Sequence, residues 1–166
     1  MRFVRREAIK FLLAGIAVAG LAGCGFQLRG ATRVPYSSVY VQSPDPESPL
    51  VRRLGQTLQE NAVQPGARAE DADAVLVLSR EGRNRTILAL SGGGRVREYR
   101  LNYTVSYSLN DRDGNPIYPE STIKLTRDFT YDDNLYLAKT AEEGLLYRDL
   151  EEDAVQQIMR RLRTSR

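Results

Sequence analysis

In the run from Arg95 to Leu109, the chain alternates from Tyr99 on: Tyr99, Leu101, Tyr103, Val105, Tyr107 and Leu109 take one parity, and Arg100, Asn102, Thr104, Ser106 and Ser108 take the other. A period of two over that length suits only an extended strand, because successive side chains of a strand point to opposite faces. One face is apolar and must be covered, and the other is polar and can meet water. Asp113-Gly114, within NDRDGNP, is a hairpin signal. The return run TIKLTRDFTY repeats the pattern, with Ile123, Leu125, Phe129 and Tyr131 against Lys124, Thr126, Asp128 and Thr130. Upstream, SSVYVQ at 37–42, AVLVLS at 74–79 and TILAL at 86–90 are further strand candidates. REGRNR, between the last two, reads as a polar bend, and Gly92-Gly93-Gly94 as a flexible turn.

Two helices supply the cover. Ser48 and Pro49 suit the N-cap and first position of a helix, followed by Leu50, Leu54 and Leu58 on one stripe. A second helix, capped by Thr140 with Glu143 three residues on, carries Leu146, Leu150, Ala154, Ile158 and Leu162 along one side. Its acids come early and Arg160, Arg161 and Arg163 come late, which suits the helix dipole. Two amphipathic helices can cover only one face of a sheet. The expected architecture is therefore α+β, a two-layer sandwich of about four strands with both helices on one face and the polar sheet face outward.

The first residues belong to a different regime. Arg2, Arg5, Arg6 and Lys10 precede an apolar stretch, Phe11 to Leu21, that is about half the roughly 20 residues a membrane span needs. Leu21-Ala22-Gly23-Cys24 resembles the bacterial lipobox, whose cysteine is acylated and becomes the new N-terminus. The expectation is a cleaved signal peptide over 1–23, a lipidated tether over 24–36 and a single domain over 37–166. Each buried methylene of such an anchor adds about 0.8 kcal/mol. Gly25 in place of Asp after the cysteine implies sorting to the outer membrane, facing the periplasm; Arg5-Arg6 leaves twin-arginine export open beside the general route. The net charge of +3 comes from the first segment, which holds four cations and one acid, so residues 24–166 carry 20 of each sign and give no argument for nucleic-acid binding.

Catalysis has little to work with. The chain has no histidine and one cysteine, which removes Ser-His, Cys-His and His-metal sites. No cofactor or metal is expected. Asp132-Asp133 and Glu142-Glu143 are acid pairs that equally suit a loop or a helix start, and SGGGR lacks the spacing and lysine of a phosphate-binding loop. What remains is a surplus of arginine at one end of the sheet. Arg80, Arg83, Arg85, Arg95, Arg97 and Arg100 stand against Glu81 and Glu98, either a site for an anion such as phosphate or a solvated patch. The Ser, Thr and Asn face has the same two readings, a partner surface or a hydrated one.

A resemblance adds to this. CGFQLRG at 24–30, VP at 34–35, DPESPL at 45–50, REYRLNYTVSY, IYP at 117–119, LAK at 137–139 and the run from Ile158 to Leu162 are together similar to the lipopolysaccharide-assembly lipoproteins of the LptE family. The resemblance implies a four-stranded, two-helix domain that plugs the lumen of an LptD-type β-barrel in a one-to-one complex and binds lipopolysaccharide. It assigns ligand binding to basic residues near a sheet-end loop and in the turn before the last helix. Here these are Lys139 of LAK and, since Gly92 to Gly94 occupy the turn itself, Arg95 or Arg97, with Arg85 beside them. The alternative is an outer-membrane lipoprotein that binds another anionic ligand for an unrelated transporter.

Overall fold

A computed structural model of the chain describes residues 33–165. The expected signal segment, Cys24 and the tether up to residue 32 lie outside them. In order, the elements are β1 (Ser38–Gln42), α1 (Pro49–Glu60), β2 (Gln64–Pro65), β3 (Ala74–Leu90), β4 (Val96–Asp111), β5 (Pro116–Thr130) and α2 (Tyr136–Thr164). The sheet runs β2-β1-β3-β4-β5, parallel across the first two pairings and antiparallel across the last two. This is the expected α+β sandwich with five strands in place of about four. The extra strand is the two-residue β2, at an edge where Pro65, which has no N–H, does least harm.

Both helices cover the face that carries Leu101, Tyr103, Val105, Tyr107 and Leu109, which pack with Leu50, Leu54 and Leu58 of α1 and Leu150, Ala154 and Ile158 of α2. Ser48 caps α1 as expected, its Oγ accepting from the Val51 N–H at 3.2 Å. Helix α2 begins four residues before the expected Thr140, because a 3-10 turn over Asp133–Leu135, with Asp132 accepting from the Asn134 N–H, leads straight into it. Lys139 is thus in the first turn of the helix rather than in the loop before it. Val34, near the end of the expected tether, is buried in the core, and the Tyr36 hydroxyl lies 3.1 Å from Ser165 Oγ.

REGRNR does not bend. Strand β3 continues through it for 17 residues, paired with β4 from Ala74 opposite Asp111 to Leu90 opposite Val96. The register explains its polar sequence. Leu78 opposes Tyr107 but Arg80 opposes Ser106, so Ser79 is an extra residue and a β-bulge exchanges the two faces. Before it Ala74, Leu76 and Leu78 point into the core; after it Glu81, Arg83, Arg85 and Ile87 take the helix side.

Those charges find partners. Arg83 Nη2 lies 2.5 Å from Glu151 Oε1, Arg85 Nη1 donates to Glu143 Oε2 at 2.8 Å, and the Tyr103 hydroxyl donates to Glu81 Oε1 at 2.8 Å. Tyr147 of α2 donates to the Asn84 carbonyl at 2.9 Å. Glu151 is buried, at 4% exposure, and Arg83 meets its Oε1 as a charge without an aligned hydrogen bond.

Burial pushes the Glu151 carboxyl above its ordinary range, Arg83 opposes the rise, Glu81 adds to it, and Arg148 and Arg52 work against it. A carboxyl whose pKa is higher folded than unfolded contributes stability that is complete below the unfolded value and is lost as pH rises through the folded one. Glu151→Gln, neutral throughout, should therefore gain stability relative to the wild type between about pH 4 and pH 7. Urea unfolding of both chains at the two pH values measures this, and a relative stability that falls as pH rises would contradict it.

Candidate functional site

Strand β5 ends at Thr130, opposite Glu98, and the Tyr131 N–H then donates to the Arg97 carbonyl at 2.8 Å. Beyond that point β3 and β4 continue alone as a two-stranded ribbon. Its tip is closed by the Ser91 N–H donating to the Arg95 carbonyl at 2.7 Å and the Gly94 N–H to Ser91 at 2.9 Å, with Gly94 at a φ of 77° that a side chain would strain. The chain leaving β5 turns at Asp132 into α2. Between ribbon and turn opens a cleft of about 500 Å³, lined by Ala89, Arg97, Glu98, Thr130, Tyr131, Asp132, Leu135 and Lys139.

Arg97 and Lys139, 42 positions apart in sequence, therefore reach one cavity. Lys139 is largely enclosed; its Nζ donates to Glu142 Oε2 at 2.8 Å and lies 3.4 Å from Thr130 Oγ1. Arg95 is exposed in the ribbon turn, outside the lining. Arg85 sits one layer behind. Its guanidinium lies 4.6 Å from the centre of the Tyr99 ring, which meets the Tyr131 ring edge-on at 5.1 Å, and it is already paired with Glu143. Among the described residues neither Arg95 nor Arg97 makes an ion pair within 4.0 Å.

The other arginines of the sequence cluster are dispersed. Arg83 is committed to Glu151, while Arg80 and Arg100 are on the opposite face, where Arg100 holds Asp128 through two hydrogen bonds of 2.7 and 2.8 Å. That face is a ladder of polar cross-strand pairs, with Asn102 donating to Asn84 at 2.9 Å and Ser106 against Thr122 at 2.9 Å. Tyr131, Asp132 and Leu135 belong to the cleft and carried no signal of it in the sequence, since only the turn after β5 brings them to the ribbon. Glu98 and Asp132 temper the local charge, so the cleft suits an anion that also offers hydrogen-bond donors, such as a phosphorylated sugar, better than a bare anion. Among the described residues no three acidic or thiol side chains gather as metal ligands, and no helix is long and apolar enough to cross a membrane.

The chain is similar to known proteins along most of its length. A protein of Photorhabdus laumondii called LPS-assembly lipoprotein LptE is 34% identical over 164 residues, covering 96% of this chain and 87% of that protein. Its namesake in Pectobacterium atrosepticum is 32% identical over 163 residues, with the same coverage. The solution structure of lipoprotein B from Nitrosomonas europaea superposes with a TM-score of 0.71 at 36% identity, covering 82% of this chain and 88% of that one. Residues 36–162 match the model of the LptE family, described as lipopolysaccharide-assembly, and the chain belongs to that family.

Proposed function

We propose that this chain is an outer-membrane lipoprotein, held at the periplasmic side through acylated Cys24, that forms a one-to-one complex with an LptD-type barrel. In this reading it plugs the barrel, aids its assembly and binds lipopolysaccharide for insertion into the outer leaflet. The observation that carries ligand binding is the convergence of Arg97 and Lys139 on one cleft in a member of this family. Lys139 supplies a point charge from the first turn of α2, and Arg97 a planar fork from β4. Arg95 extends the cationic surface to the ribbon turn, and Arg85 reinforces it through the Tyr99–Tyr131 pair. The polar ladder on the outer face offers hydroxyls and amides to the water-lined wall of a barrel.

Hydrogen bonds to charged groups contribute about 1.5–3 kcal/mol each, which is roughly tenfold or more in affinity. Lipopolysaccharide binding by the full-length processed chain should therefore weaken about tenfold in Lys139→Ala and in Arg95→Ala/Arg97→Ala, with a flatter salt dependence, while Arg100→Ala on the opposite face binds as wild type. Equal binding by all four chains would remove the site. The barrel partnership is tested by purification in mild detergent, where one barrel per chain is expected and recovery of the chain alone counts against a plug. Cys24→Ser should accumulate as unprocessed precursor, and a normally cleaved, membrane-bound Cys24→Ser protein would refute the anchor.

A further inference from the structure

The large apolar side chains that remain exposed among the described residues fall mainly in two stretches. Ile87, Leu88 and Leu90 lie along the last residues of β3 at 55%, 40% and 58% exposure, and Leu135, Tyr136 and Leu137 lie at the turn into α2, with Leu137 at 82%; Leu145 stands apart, further along α2. Single exposed leucines need no explanation, but a concentration at one end of a domain marks something that covers it. Both stretches border the cleft: Ala89, between Leu88 and Leu90, is in its lining, and so is Leu135. The register slips again around Ala89, which turns consecutive apolar side chains of the ribbon toward more than one side. Ile87 opposes Tyr99, itself paired with Phe129 of β5, and Leu90 lies past the end of β5, yet both stay exposed.

We infer that this apolar rim receives the acyl chains of the same amphiphile whose phosphorylated headgroup enters the cleft. The inference rests on the reading of Arg97 and Lys139 as headgroup ligands and extends it to the tails. Size is the first argument. A cleft of about 500 Å³ is of the class that takes a small polar molecule, so the acyl chains of a lipid bound there must lie outside it, across the surfaces on either side. Chemistry is the second. Of the seven exposed large apolar side chains, six are aliphatic and only Tyr136 is aromatic, whereas protein interfaces centre on aromatic and arginine anchors. Charge is the third, since the cations select an anionic lipid over a neutral one. Each methylene covered by the rim is worth about fourfold in affinity, so a short stretch of tail matches a hydrogen bond to the headgroup.

The test uses the full-length processed chain in phosphatidylcholine nanodiscs and two probes: lipid A with a photoreactive diazirine near the end of an acyl chain, and the deacylated glucosamine disaccharide bisphosphate. Light should attach the first probe within residues 87–90 and 135–137. Ile87→Ser/Leu90→Ser and, separately, Leu137→Ser should lower affinity for acylated lipid A, the double variant about tenfold or more, and leave binding of the deacylated disaccharide unchanged. That unchanged arm also reports that the variants are folded. Acylated lipid A bound equally by wild type and variants would overturn the inference and leave the headgroup site standing. Loss confined to lipid A in a chain that never binds the deacylated disaccharide would support the rim while removing the cationic site. Equal labelling by a diazirine phosphatidylcholine would make the rim a general bilayer contact and overturn the inference.

Discussion

Strand β4 is hydrogen-bonded to a neighbour on both sides from Glu98 to Asn110, and this double pairing fixes the rest of the domain. With its edges closed, only its two faces can differ. The face bearing Leu101, Tyr103, Val105, Tyr107 and Leu109 is almost free of polar atoms and has to be covered, at roughly 1.5–3 kcal/mol per large side chain removed from water. Helices α1 and α2 provide the cover. A slip of one residue would carry that whole set to the water side, so the register is strongly specified by burial alone.

The bulge at Ser79 is the compromise that lets β3 follow β4 beyond the reach of the core. Upstream of it β3 shares the apolar face; downstream it turns Glu81, Arg83 and Arg85 toward α2, where acids and tyrosines wait. The cost of placing charge beneath a helix is met by pairing, most closely at Glu151. The pairing also divides the arginines into two kinds. Arg83, Arg85 and Arg100, nearer the middle of the sheet, are paired with acids, and Arg95 and Arg97, nearest the ribbon tip, are in no ion pair among the described residues.

What the far end of the domain can do follows from that division. Arg97 and Lys139 face one cavity, Arg85 is held against Tyr99, and Arg95 stands in the turn. The acids Glu98 and Asp132 share the lining, so the cleft is selective in shape and hydrogen bonding as well as in sign. This LptE-family chain keeps cations, aromatic rings and aliphatic side chains at one end and a polar ladder on one face, so the ligand surface and the partner surface of the proposed function are separate.

The sequence by itself determined the strands, both amphipathic helices, the cap at Ser48 and the two-layer plan, because periodicity and capping are local and strong in 101–109, 122–131 and 150–162. It determined the family as well, through motifs spread along the chain. Its local rules misread REGRNR as a bend, since a charged run is kept extended only by pairing with β4 and by acids on α2, neither of which is near it in sequence. They placed the start of α2 at Thr140, since the turn at Asp132 that begins it earlier is set by where β5 stops. Tertiary structure decided which arginines are bound to acids and which, among the described residues, have no acid within 4.0 Å. Arg83 and Arg97 look alike as letters, and only the bulge and the end of β5 put one beside Glu151 and the other beside Lys139.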